Sequence, residues 1–136
     1  MPTFFERYAK HWKQSLEYWA DLRKRRRVQS RLDHIVQECI RVVRSEIVEV
    51  SPPVASHLFY GATGIDPKYL VVWFIFNMDT ELTQARTNGL ADRIVQSMRR
   101  ELTVRGYPKP NQAHLGFTTD EDIRRKTGGN YRQYFQ

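Results

Sequence analysis

Four histidines, His11, His34, His57 and His114, are the first side chains to test for metal or acid–base chemistry, since a neutral imidazole both ligates metals and carries protons. No two stand at the spacing that pairs ligands on one element, and there is no HExxH pair, so no metal or other cofactor is expected. The single Cys39 excludes an internal disulfide and a cysteine-rich zinc site. It lies in an apolar helical stripe, where a buried, inert thiol is expected rather than a nucleophile. Gly61 to Gly64 reads GATG, and Gly128-Gly129 follows Lys126-Thr127; neither matches a phosphate-cradling loop. Ser15, Ser30, Ser45, Ser51, Ser56 and Ser97 lack the context of a nucleophile elbow. Asp79 with Glu81, and Asp120, Glu121 and Asp122, could do acid–base work, but helix caps and first-turn acids explain both sets more simply. The chain is therefore not expected to be an enzyme.

A different chemistry is open to Arg23, Lys24, Arg25, Arg26, Arg27 and Arg31, which follow one another with no acid between them. Such a segment can grip phosphates with a salt-dependent affinity. Equally, it can be a solvated helix surface or a connection between helices. Aromatic side chains interleave with cations in residues 4–22, the combination that stacks bases and tracks a nucleic-acid backbone. Tyr8, Trp12 and Trp19 share one apolar stripe, however, and ordinary packing also accounts for them.

The elements follow from spacing. Phe4, Phe5, Tyr8, Trp12, Leu16 and Trp19 recur at helical steps, and Val28, Leu32, Ile35, Val36, Cys39, Ile40 and Val43 form a second stripe. At about 100° per residue the two stripes fall on nearly opposite sides of one straight helix. One core cannot bury both. Two helices are expected, broken near the basic segment with Ser30 as N-cap; the alternative is one long helix whose first half docks on another subunit. Ile47, Val48 and Val50 suggest a short strand ended by Pro52 and Pro53, and His57 to Tyr60 another. Tyr69 to Asn77 is the strongest strand, apolar on both faces as in a covered sheet. A helical turn starts at Asp79 or Thr80. Leu90 to Leu102 form an amphipathic helix that ends at Gly106, with Pro108 beyond. Ala113 to Thr118 reads as a strand, and residues 120–127 as a dipole-ordered helix, acids first and cations last. The tail Asn130, Tyr131, Tyr134 and Phe135 should return over the sheet. Strands 69–77 and 113–118, joined through a helix, are expected to pair in parallel.

At 136 residues the chain fits one domain: a helical N-terminal region over 1–45 and an α+β core over 46–136. The fold class is α+β, with N-terminal helices and a small mixed sheet covered by helices. The net charge of +7 favours polyanions or acidic protein surfaces as partners. Residues 1–45 hold 11 Lys/Arg against 5 Asp/Glu, and the remainder 11 against 10, so the excess is N-terminal. The longest apolar run, Tyr69 to Phe76, is too short to span a bilayer, and Glu6, Glu17 and Asp21 dilute any membrane-surface helix. No membrane partner and a cytoplasmic location are expected.

Residues 69–135 resemble small bacterial immunity proteins of toxin-immunity loci. The likeness rests on the order of YLVVWFIF, NMDTELTQARTNGL, RGYP at 105–108, and a final strand leading into TTDEDIRRKTGGNYRQYF. What it implies is a non-catalytic protein that binds and inhibits a cognate toxin. Tyr107, Pro108, Gly128, Gly129, Asn130, Tyr131, Tyr134 and Phe135 match the pattern, and the implied role is to hold the fold. Many inhibitors of nuclease toxins are acidic, whereas this chain is basic. The resemblance then implies an acidic toxin surface, a toxin that is not a nuclease, or contact through the near-neutral second half. The alternative function is a nucleic-acid-binding module using the segment 23–31. A homodimer through the N-terminal aromatic stripe is a further expectation.

Overall fold

No glycine or proline interrupts residues 4–46. In the computed structural model, which describes residues 3–136, this stretch is one α-helix of 43 residues, α1 (Phe4–Glu46). At 1.5 Å per residue it is about 64 Å long. Thr3 starts it with a capping box: its hydroxyl accepts from the Glu6 N–H at 3.2 Å, and the Glu6 carboxylate accepts from the Thr3 N–H at 2.9 Å. The expected break at the basic segment does not form, and Ser30 lies inside the helix rather than capping one. The two stripes do point apart, but they need no common core. Leu32, Val36, Cys39, Ile40 and Val43 are buried, while Phe4, Phe5, Tyr8, Trp12, Leu16 and Trp19 remain 54–81% exposed.

The strand expected at Ile47 to Val50 is also absent; these residues form a turn. Ile47 extends the buried stripe of α1 by one more turn, and its N–H closes the helix on the Arg44 carbonyl, so tertiary burial overrides its β propensity.

The sheet has three strands in the order β1 (Ser56–Tyr60), β2 (Val71–Phe76), β3 (His114–Thr119). β1 runs antiparallel to β2, with Leu58 opposite Trp73; β2 and β3 are parallel, as expected, with Phe74 beside Phe117. Successive side chains alternate between faces. Val72, Phe74 and Phe76, with Phe59, Leu115 and Phe117, pack on the buried stripe of α1 and on the crossover helices α2 (Asp79–Thr87) and α3 (Leu90–Val104). Each fully buried Leu, Ile, Val or Phe contributes roughly 1.5–3 kcal/mol, so this layer is the main source of stability. Gly106, in the left-handed region at φ 77°, turns the chain out of α3.

The other face of the sheet carries Trp73 and Ile75. Over it lie α4 (Asp120–Thr127), capped by Thr119, and the single turn α5 (Tyr131–Tyr134), capped by Asn130. The Phe135 ring sits 5.4 Å from that of Trp73, so the aromatic tail does return over the sheet. Gly116 makes room here: a Cβ at this position would come within 2.6 Å of the Trp73 ring. The result is a small α+β unit with one helix that continues well past it.

Candidate functional site

The basic segment occupies the point where α1 leaves the body. The loop at Gly61 to Gly64 presses against the helix so closely that a Cβ on Gly64 would meet the Arg25 carbonyl at 2.5 Å. Gln29 locks the contact by accepting from the Gly64 N–H at 2.8 Å and donating to the Gly61 carbonyl at 3.2 Å. On the N-terminal side of this clamp every described residue of the helix is exposed except the half-buried Ser15 and Leu22. Arg23, Lys24, Arg25, Arg26, Arg27 and Arg31 are all exposed. Five of them are consecutive, so at 100° per residue they encircle the helix rather than forming one face. Arg25 pairs with Asp21 at 3.0 Å. Among the described residues the other five make no ion pair, which leaves their charge available to an anionic partner.

Beyond the basic collar, residues 4–22 form an arm. At 100° per residue its aromatic stripe points away from the buried stripe of α1, and Tyr8, Ala9 and Trp12 line a shallow apolar notch on it. These side chains make a contiguous exposed apolar stripe, larger than scattered single apolar residues on a surface.

A second cluster gathers where β2 and β3 end. Thr119 donates to Asp79, whose other oxygen accepts from Arg125 at 2.9 Å. Arg125 also donates to Asp122 at 2.6 Å, and Asp122 accepts from the Tyr134 hydroxyl and pairs with Lys126 at 3.1 Å. Asp120 accepts from Tyr131 at 2.7 Å and from Arg124 at 2.6 Å. The Tyr134 hydroxyl, followed by Arg125, holds the Asp122 carboxyl down at about 2 against the opposing effect of burial. Arg124 and Tyr131 depress Asp120, and Thr119 with Arg125 depresses Asp79. Burial and the Asp122 carboxylate in turn raise Tyr134. Asp79, Asp120 and Asp122 are each bonded to a neighbour, whereas Glu121 is exposed. This network fastens α4 and the tail to the strand ends.

The residues carried by the resemblance fall mostly in this fastening. Tyr131, Tyr134 and Phe135 are in it; Asn130 caps α5 by accepting from the Gln133 N–H at 3.0 Å. Gly128 and Gly129 turn the chain between α4 and α5 in the left-handed region, at φ 65° and 95°. Tyr107 is buried away from them and donates to the Pro67 carbonyl at 2.6 Å, while Pro108 is exposed. Burial raises the Tyr107 hydroxyl to about 12.

Cys39 is buried in the core, and burial pushes its thiol up to about 11. The four histidines stay apart. The His57 Nδ1 accepts from Arg44 at 2.9 Å, and burial with the adjacent guanidinium lowers its pKa, so the ring is neutral near pH 7. Among the described residues no cluster of three or more His, Cys, Asp or Glu side chains is placed to hold a metal ion. No helix among them is long and apolar enough to cross a membrane. The Tyr60, Trp73, Lys126 and Phe135 side chains line an open groove of about 480 Å³, not an enclosed cleft.

Sequence reasoning missed two features. The clamp at Gln29 and the Asp79–Arg125 pair join residues 35 and 46 positions apart, and only the fold brings them together. No family model, curated protein or solved structure matches the chain.

Proposed function

We propose that this chain is a non-catalytic binding protein, and within that class an immunity protein that captures and inhibits a cognate toxin. The observation that supports the reading most is saturation. Asp79, Asp120, Asp122, Tyr131 and Tyr134, the side chains best suited to chemistry by type and proximity, are bonded to one another and to Arg124 and Arg125. What remains outward-facing is surface. The resemblance over residues 69–135 supplies the finer step to a toxin, and the near-neutral body is the face suited to contact it. Co-expression with the product of an adjacent toxin gene should restore growth, and the two proteins should co-purify through moderate salt. Absence of rescue overturns the finer reading.

The exposed, largely unpaired basic collar favours a second reading, a nucleic-acid-binding module. Arg25→Ala, Arg26→Ala and Arg27→Ala together should then weaken binding to a short duplex DNA. The slope of log affinity against log salt should fall by about 2, close to one each for Arg26 and Arg27, because Arg25 is already paired with Asp21. Unchanged affinity in the triple variant removes this reading.

A further inference from the structure

The arm of α1 carries a pattern that neither reading uses. Counted from Trp12, five of its apolar residues are symmetric: Tyr8 and Leu16 stand four positions away on either side, and Phe5 and Trp19 seven positions away, while the exposed Phe4 and Tyr18 lie outside this set. A stripe with this symmetry meets its own reverse in register. When two such helices cross antiparallel about a two-fold axis at Trp12, each Trp12 faces its counterpart, Tyr8 faces Leu16, and Phe5 faces Trp19. We propose that the arm binds a second copy of this chain, as an antiparallel pair of α1 helices centred on Trp12.

Charge selects the same occupant and orientation. Residues 4–22 carry Arg7, Lys10 and Lys13 against Glu6, Glu17 and Asp21, a net charge of zero, so the arm has no excess of cations to draw it to an anionic surface. Before Trp12 stand Arg7 and Lys10 with Glu6, a net charge of +1, and after it Lys13 with Glu17 and Asp21, a net charge of −1. Antiparallel pairing sets basic halves beside acidic ones and opposes the helix dipoles. Parallel pairing would place the two basic collars side by side. In the antiparallel arrangement they stand about 45 Å apart along the axis, several times the roughly 8–10 Å over which salt screens charge.

Space and area also fit. The stripe points away from the buried stripe of α1, and in this register the partner's Phe5 reaches Trp19, short of the clamp at Arg25 and Gly64. Aromatic side chains of 150–250 Å² at these exposures offer on the order of 700 Å² per arm, or about 1,400 Å² in the pair, within the range of a stable specific interface. Ala9 and Ala20 flank the stripe on one side and let the helices approach closely.

The test is sedimentation equilibrium of the full chain, followed by cross-linking. The wild type should sediment at twice 16.2 kDa and Trp12→Glu at once that mass, with unchanged helical signal because the site is exposed. Orientation is read from Phe5→Cys and Trp19→Cys chains under mild oxidation. The mixture should form disulfide-linked heterodimers, while neither variant alone should link to itself. A monomeric wild type, self-linking of each variant alone as parallel helices would give, or a chain that stays monomeric and instead binds anionic vesicles through Trp12 would each overturn the proposal.

Discussion

Asp122 shows how single side chains in this molecule are committed to structure. Its oxygens accept from Tyr134 and Arg125 and face Lys126, and its pKa falls to about 2. An unfolded aspartate titrates at roughly 3.9, so the folded value is depressed. The stability this group contributes is complete above about pH 4 and is lost as pH falls toward about 2. Asp79 and Asp120, depressed in the same direction, add to that loss. Asp122→Asn should therefore flatten the dependence of melting temperature on pH across this acidic window, as measured by circular dichroism. An unchanged slope would show that the Tyr134 and Arg125 contacts do not form. At this scale the tail is legible in the sequence: three aromatics in five residues imply packing, and Phe135 packs on Trp73. The pairing of Asp79 with Arg125 is not, because nothing local in either stretch encodes a partner 46 positions away.

Among the elements, α3, α4 and the parallel β2–β3 pair can be read from periodicity, caps and dipole order, since each buries one face and local and global preferences agree. α1 cannot be read so simply. Two opposed stripes suggest a break only if every apolar face must find a core within the chain. The more telling signal is the lack of any glycine or proline from Phe4 to Glu46. An isolated helix the length of the arm would be marginal in water, but here the packed half, residues 25–46, supplies the nucleus and the arm only propagates it. The clamp that ends the packed half is Gln29. Gln29→Ala removes three hydrogen bonds, to Gly64, Gly61 and Asp33, and strands the Gly64 N–H, while the Gly61 carbonyl keeps the Thr63 N–H; it should lower unfolding free energy by about 1–2 kcal/mol in urea. A loss below a few tenths of a kcal/mol would place the anchor of α1 elsewhere.

As a whole, the molecule is a small α+β body with a helix that leaves it through a basic collar and carries an apolar stripe into solvent. Asp79, Asp120 and Asp122 are bonded to neighbouring side chains at the strand ends, and among the described residues a run of large apolar side chains on the arm and five unpaired cations on the collar are exposed. That account depends on α1 running unbroken, so the most direct measurement is the distance between its two halves. Spin labels at Lys10→Cys and His34→Cys, both exposed sites, can be read by pulsed electron resonance with the labelled chain diluted in unlabelled protein. Cys39 is buried and should stay unlabelled. A continuous helix predicts a narrow distribution near about 36 Å. A distribution centred below about 20 Å, as a hairpin of two packed helices would give from their 8–10 Å axial separation, would contradict it.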